Sequence, residues 1–109
     1  MDFTEYQHKS RKYDHVVAGI PSWAFWAVSL AEEAGEVLGK IKRILRDDGG
    51  VITSTRRTDV IKELGDLMYN VARVADAFDV DFQEIADASL AKLEDRYQRG
   101  VLKGSGDNR

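Results

Sequence analysis

The chain has no cysteine and a single proline, Pro21, in 109 residues. Without thiols it forms neither disulfides nor thiolate metal centres. One proline and no long alternating β-branched run leave little of the punctuation that a many-stranded sheet requires. A basic block is also missing: 16 Lys and Arg stand against 19 Asp and Glu, for a net charge of −3. A nucleic-acid-binding domain normally carries a basic face, so no nucleic acid is expected as a partner. No apolar run reaches membrane-spanning length, and Met1-Asp2-Phe3-Thr4-Glu5 does not resemble a signal peptide. The chain therefore reads as a soluble cytoplasmic protein with no membrane partner.

What is present favours helices. Ala, Leu, Glu, Lys and Arg dominate the middle of the chain, and these are strong helix formers. A first helix is expected over 3–17, ending before Gly19-Ile20-Pro21, with Ser22 as N-cap of the next. Trp23, Trp26, Leu30, Val37, Leu38, Ile41, Ile44 and Leu45 follow one apolar stripe and predict a second helix over about 23–46. Asp47-Asp48-Gly49-Gly50 ends it. Val60, Ile61, Leu64, Leu67, Val71, Val74 and Phe78 predict a third helix over about 56–78, capped by Ser54 or Thr55. Asp81 with Glu84 has capping-box spacing and opens a fourth helix over about 82–99. The reading is an all-α, four-helix bundle-like domain over 1–99 with an antiparallel central helix pair, followed by a glycine-rich tail, 100–109. Phe25, Val28 and Ala31 leave the second helix oily on more than one face, so the domain is expected to be oligomeric.

Two stretches carry the chemistry. Glu33-Ala34-Gly35-Glu36, preceded by Glu32, and Glu63-Leu64-Gly65-Asp66 each place two carboxylates three residues apart around a glycine. On a helix, residues i and i+3 share a face, so each stretch is a two-carboxylate claw. One such claw is ordinarily a solvated face. Two matched claws, each bordering an apolar stripe, point to a divalent cation, because four converging carboxylates otherwise repel. All-oxygen ligands select Mg²⁺, with Mn²⁺ as the alternative. Glycine inside a helix costs about 1 kcal/mol relative to alanine, and a close crossing of the two helices would account for spending it twice. A di-iron carboxylate centre fails on ligand count: it needs two Glu-x-x-His pairs, and only Glu5…His8 is present. His8 and His15 read as surface or pocket-rim residues. Lys92 and Arg96, one turn apart, are either a solvated strip or a point charge and a fork for phosphate oxygens.

At these residues the chain resembles the MazG-like nucleotide pyrophosphohydrolases, whose pattern is E-x-x-E, a spacer and E-x-x-D. The similarity continues through Ala91-Lys92-Leu93-Glu94-Asp95-Arg96 and the Gly-Ser-Gly-Asp-Asn-Arg ending, and covers most of the chain from about Leu30. The resemblance implies Mg²⁺-dependent hydrolysis of a nucleoside triphosphate between its α- and β-phosphates, in nucleotide-pool cleaning. It implies metal binding by Glu33, Glu36, Glu63 and Asp66, help from Glu32 in positioning water, and phosphate binding by Lys92 and Arg96. Relatives form homodimers or homotetramers. Ser89 stands where the family often has Asn. A non-catalytic helical nucleotide-binding or assembly module is the competing reading.

Overall fold

The computed structural model describes every residue from Met1 to Arg109 and contains helices and no strands. Helix α1 is Phe3–Ser10, followed by a 3₁₀ turn over Arg11–Tyr13; α2 is Ser22–Asp47, α3 is Ser54–Ala77 and α4 is Phe82–Gln98. No helix is long and apolar enough to cross a membrane.

The antiparallel α2–α3 pair is the spine. Its register can be followed rung by rung. The Trp26 and Tyr69 rings meet edge to face with centroids 5.5 Å apart. Further along, Lys40 meets Glu63, and at the loop end the Arg56 guanidinium donates to Asp48 at 2.6 Å. Trp26, Ile44, Ala72 and Ala75 are buried along the pair. The apolar stripe is thus only partly consumed: Leu38 and Leu45, expected inside, stay exposed, as does Trp23.

Helix ends differ from the sequence expectation by a residue or two, each for a visible reason. Ser22 is the first helical residue and Pro21, in extended geometry, is the cap. Thr53, not Ser54 or Thr55, caps α3 by accepting from the Arg56 amide. Asp81 caps α4 as expected, but through the Gln83 amide. The largest difference is α1, which stops at Ser10 instead of running to 17. The Gln7 carbonyl that would accept the next helical bond is taken by Arg73 Nη2 at 3.0 Å and by the Ser10 hydroxyl at 2.9 Å. The Arg11 amide then turns to the His8 carbonyl, one residue nearer, which tightens the chain into the 3₁₀ turn.

α1 locks the corner between α3 and α4. Gln7 is fully buried; its amide nitrogen donates to Asp76 at 2.7 Å and to the Val80 carbonyl at 2.9 Å. Its amide oxygen accepts from the Phe82 amide at 2.9 Å. Phe3 stacks on Phe82, and the Thr4 hydroxyl donates to Asp81. Asp79, at φ +55°, supplies the left-handed turn of the corner, a conformation Asp tolerates better than most residues. From this corner α4 packs on α1 and sparingly on α3. The expected four helices are present, but a single chain does not close them into one bundle.

Arg73, fully buried, joins the same knot by bonding Gln7, Ser10 and Asp76. Burial on its own would raise the Asp76 carboxyl; hydrogen bonds from Arg11 and Gln7 and the charge of Arg73 overcome it and hold it below the ordinary Asp range. Removing one partner of a buried ion pair costs about 3–5 kcal/mol, so Asp76→Ala is expected to lower the urea midpoint sharply. A depressed carboxylate gives stability that is present above the unfolded Asp value near pH 4 and lost as pH falls through the native one. Asp76→Asn should therefore flatten the acid limb of a stability-versus-pH curve. An acid limb identical to that of the unaltered protein would refute this role.

Candidate active site

Three of the claw carboxylates converge. Glu33 from α2 and Glu63 and Asp66 from α3 each bring one oxygen to within 4.8 Å of the others. Glu33 and Glu63 are half-buried and Asp66 is exposed. Burial first, and then the charges of Asp66, Glu32, Glu63 and Glu36, push the Glu33 carboxyl above its usual range. The group repels itself, and a cation would relieve it. Oxygens on opposite sides of a Mg²⁺ ion are about 4.2 Å apart at bond lengths near 2.1 Å, so small side-chain rotations suffice for the residues to fit the metal.

The other expected residues lie around this group without joining it. Glu36 is exposed, one turn further along α2. Glu32 is exposed and rims an apolar groove with Phe25 and Val28. Asn70 is buried on α3 and donates to the Asp66 carbonyl, with its own amide oxygen unpartnered. The explanation offered for the two glycines fails. A Cβ added at Gly35 or Gly65 would meet nothing within 4 Å, so neither sits at a helix crossing inside this chain.

Lys92 and Arg96 are held together by the tail. Asp107 Oδ1 lies 3.4 Å from Lys92 Nζ and 3.3 Å from Arg96 Nη2, and the Asp107 carbonyl accepts from Arg96 at 3.0 Å. The Arg96 bond, with the bond and charge of Lys92, keeps the Asp107 carboxyl below its usual range. Asp95, next to Arg96 in the sequence, pairs instead with Arg99. The tail itself folds back on α4, with the Arg109 guanidinium gathering the carbonyls of Val101, Leu102 and Gly106.

Two features escaped the sequence reading. Lys40 Nζ stands 3.5 Å from Glu63; its signal was spacing, since it lies four residues after Glu36 and seven after Glu33 on the same face. A cleft of about 600 Å³ opens beside α1, lined by Tyr6, His8, Lys12, Tyr13 and Tyr69. The Asp66 charge is felt at the Tyr6 hydroxyl, whose pKa is raised mainly by burial, so cleft and acids adjoin. His8 is on its rim, as expected, while His15 packs edge to face on Phe25 and Trp26.

Residues 26–101 match the MazG nucleotide pyrophosphohydrolase domain. The chain belongs to that family. This MazG domain is also similar to the Gene 37 protein of Mycobacterium phage L5, with 46% identity over 90 residues, covering 83% of this chain and 79% of the phage protein. No solved structure matches the chain. The family generally depends on a divalent metal, and the three-carboxylate group is the acidic cluster of this member.

Lys40 stands in part where a cation's charge is needed. A half-exposed ion pair contributes about 0.2–1 kcal/mol. Lys40→Met is accordingly expected to tighten the binding of a divalent cation by up to about fivefold, measured by calorimetry. Weaker binding in the variant would show that Lys40 supports the metal site and does not compete with it.

Proposed function

We propose that this protein is a Mg²⁺-dependent nucleoside triphosphate pyrophosphohydrolase that cleaves the α–β phosphoanhydride of an NTP or dNTP to a monophosphate and pyrophosphate, in nucleotide-pool cleaning. The convergence of Glu33, Glu63 and Asp66 carries the reading, because it matches the donor set to a hard cation and a polyanionic substrate. Glu36, one turn along α2, would be the fourth residue to hold the ion. Held there, a divalent ion would neutralise charge on the phosphate oxygens and acidify the attacking water.

The remaining work falls to this chain's residues. Glu32 orients the water and accepts its proton. Water adds to phosphorus on one side of the α–β bridge, and the bridging oxygen departs with the other fragment. Lys92 and Arg96 stabilise charge on the departing phosphates. The tyrosine-lined cleft next to Asp66 receives the nucleoside, with Lys12 among its lining residues.

A panel of NTPs and dNTPs incubated with Mg²⁺, with pyrophosphate scored against phosphate, tests the activity. Asp66→Asn and Glu36→Gln are expected to lose at least about a hundredfold in rate while remaining helical, since even the outer supports of a metal site are worth 10–100-fold. Nucleotide binding without turnover anywhere in the panel would favour the non-catalytic module. Full activity in Glu36→Gln would remove Glu36 from the ligand set.

A further inference from the structure

Lys92 and Arg96 stand one turn apart on α4, and two cations so placed repel unless an anion lies between them. The nearest acids of α4 are engaged elsewhere. Asp87 accepts from Gln83, Glu94 accepts from Gln98, and Asp95 pairs with Arg99. The anion comes from the tail. Asp107 Oδ1 bridges Lys92 Nζ and Arg96 Nη2, and the same Arg96 nitrogen donates to the Asp107 carbonyl at 3.0 Å. One residue thus presents two oxygens to the pair, as a phosphate group would.

This contact restricts what else the pair can bind. The Arg96 side chain is 6% exposed and that of Lys92 49%, so a phosphate arriving from solvent meets the lysine and not the guanidinium. The roles given above to both cations therefore require Asp107 to leave. Asp107 is itself 83% exposed, and an ion pair this open is weak. Its single charge stands against the several charges of a pyrophosphate or triphosphate.

The rest of the tail is tied mainly to itself. The Arg109 guanidinium donates to the Val101, Leu102 and Gly106 carbonyls at 3.1, 3.2 and 2.6 Å. Its stem crosses Gly104 so closely that an added Cβ there would lie 2.8 Å from Arg109 Cδ. Gly100, at φ +71°, turns the chain off α4, and Gly106, at φ +81°, precedes Asp107; both angles favour glycine. Past Val101, the loop is joined to α4 by the Asp107 contacts and by Arg99, which donates to the Arg109 carbonyl at 2.7 Å. A loop closed on itself and held by two ties can swing away whole. An unstructured tail would lose conformational entropy each time it returned.

We propose that residues 100–109 form a strap over the phosphate seat: Asp107 occupies Lys92 and Arg96 in the absence of ligand, and the phosphate chain of a nucleotide, or pyrophosphate, binds by displacing it. The strap is an internal competitor. It holds the two cations together between turnovers, and it lowers apparent phosphate affinity by the fraction of chains in which it is open. The strap takes the identity of its ligand from the pyrophosphohydrolase reading, but its contacts stand without that reading.

Calorimetry with inorganic pyrophosphate, with a chelator present, tests the seat without metal or turnover. Asp107→Asn keeps the size of the residue and removes its charge, and is expected to bind pyrophosphate about two- to fivefold more tightly than the unaltered protein. Glu94→Gln removes a charge from α4 away from the pair and should leave the affinity unchanged. Equal or weaker binding in Asp107→Asn, an equal gain in Glu94→Gln, or no binding to any of the three proteins would overturn the strap.

A second measurement follows the displacement itself. The chain is free of cysteine, so spin labels on Ser89→Cys and Ser105→Cys, both exposed, report the distance from α4 to the tail. Pyrophosphate should lengthen it. A distance that stays fixed with pyrophosphate bound would overturn the proposal even if the protein hydrolysed every nucleotide. A strap that pyrophosphate displaces, in a protein that hydrolyses none, would refute the activity alone.

Discussion

The molecule depends on a buried amide. Gln7 satisfies a carboxylate, a carbonyl and a backbone amide from three different stretches around one corner. Buried polar groups are costly when unpaired and directional when paired, so this contact fixes geometry where apolar packing alone would tolerate several. Arg73 extends the constraint by drawing the Gln7 carbonyl out of α1, ending that helix and turning the following segment toward His15 and the Trp26 cluster. The direction of α4, and with it the position of Lys92 and Arg96, is inherited from this knot.

The carboxylate group depends on a different balance. Glu33 sits at the border of an apolar stripe, where desolvation and four like charges act on it together. Lys40 offsets part of that repulsion. The site is therefore held by the α2–α3 pair at some electrostatic cost, which is common where binding of a charged ligand is the purpose. The two balances lie in separate parts of the chain: the knot holds the α1–α3–α4 corner, while the middle of α2–α3 carries the charge repulsion.

Much of this was legible in the sequence because periodicity is local. The four helices, the antiparallel central pair and the claws follow from 3.6-residue spacing and from turn residues such as Asp47 to Gly50. The direction of α4 was not legible. It is decided by Gln7, a residue with no motif, some 70 positions away from the groups it bonds. The end of α1 at Ser10 escaped for the same reason, since Arg73 lies equally far along the chain. Lys40 had a local signal in its spacing from Glu36, and the tail's return onto α4 had none beyond its charges. The glycines taught the reverse lesson. Their spacing was read correctly as unusual, but the close approach inferred from it does not occur within one chain.

That open space bears on why a domain this small would carry so little core. Only Trp26, Ile44, Ala72, Ala75 and Phe82 are fully buried apolar residues, a thin core for 109 residues. The exposed Leu, Ile and Tyr side chains of α2, α3 and α4 are the complement of that deficit.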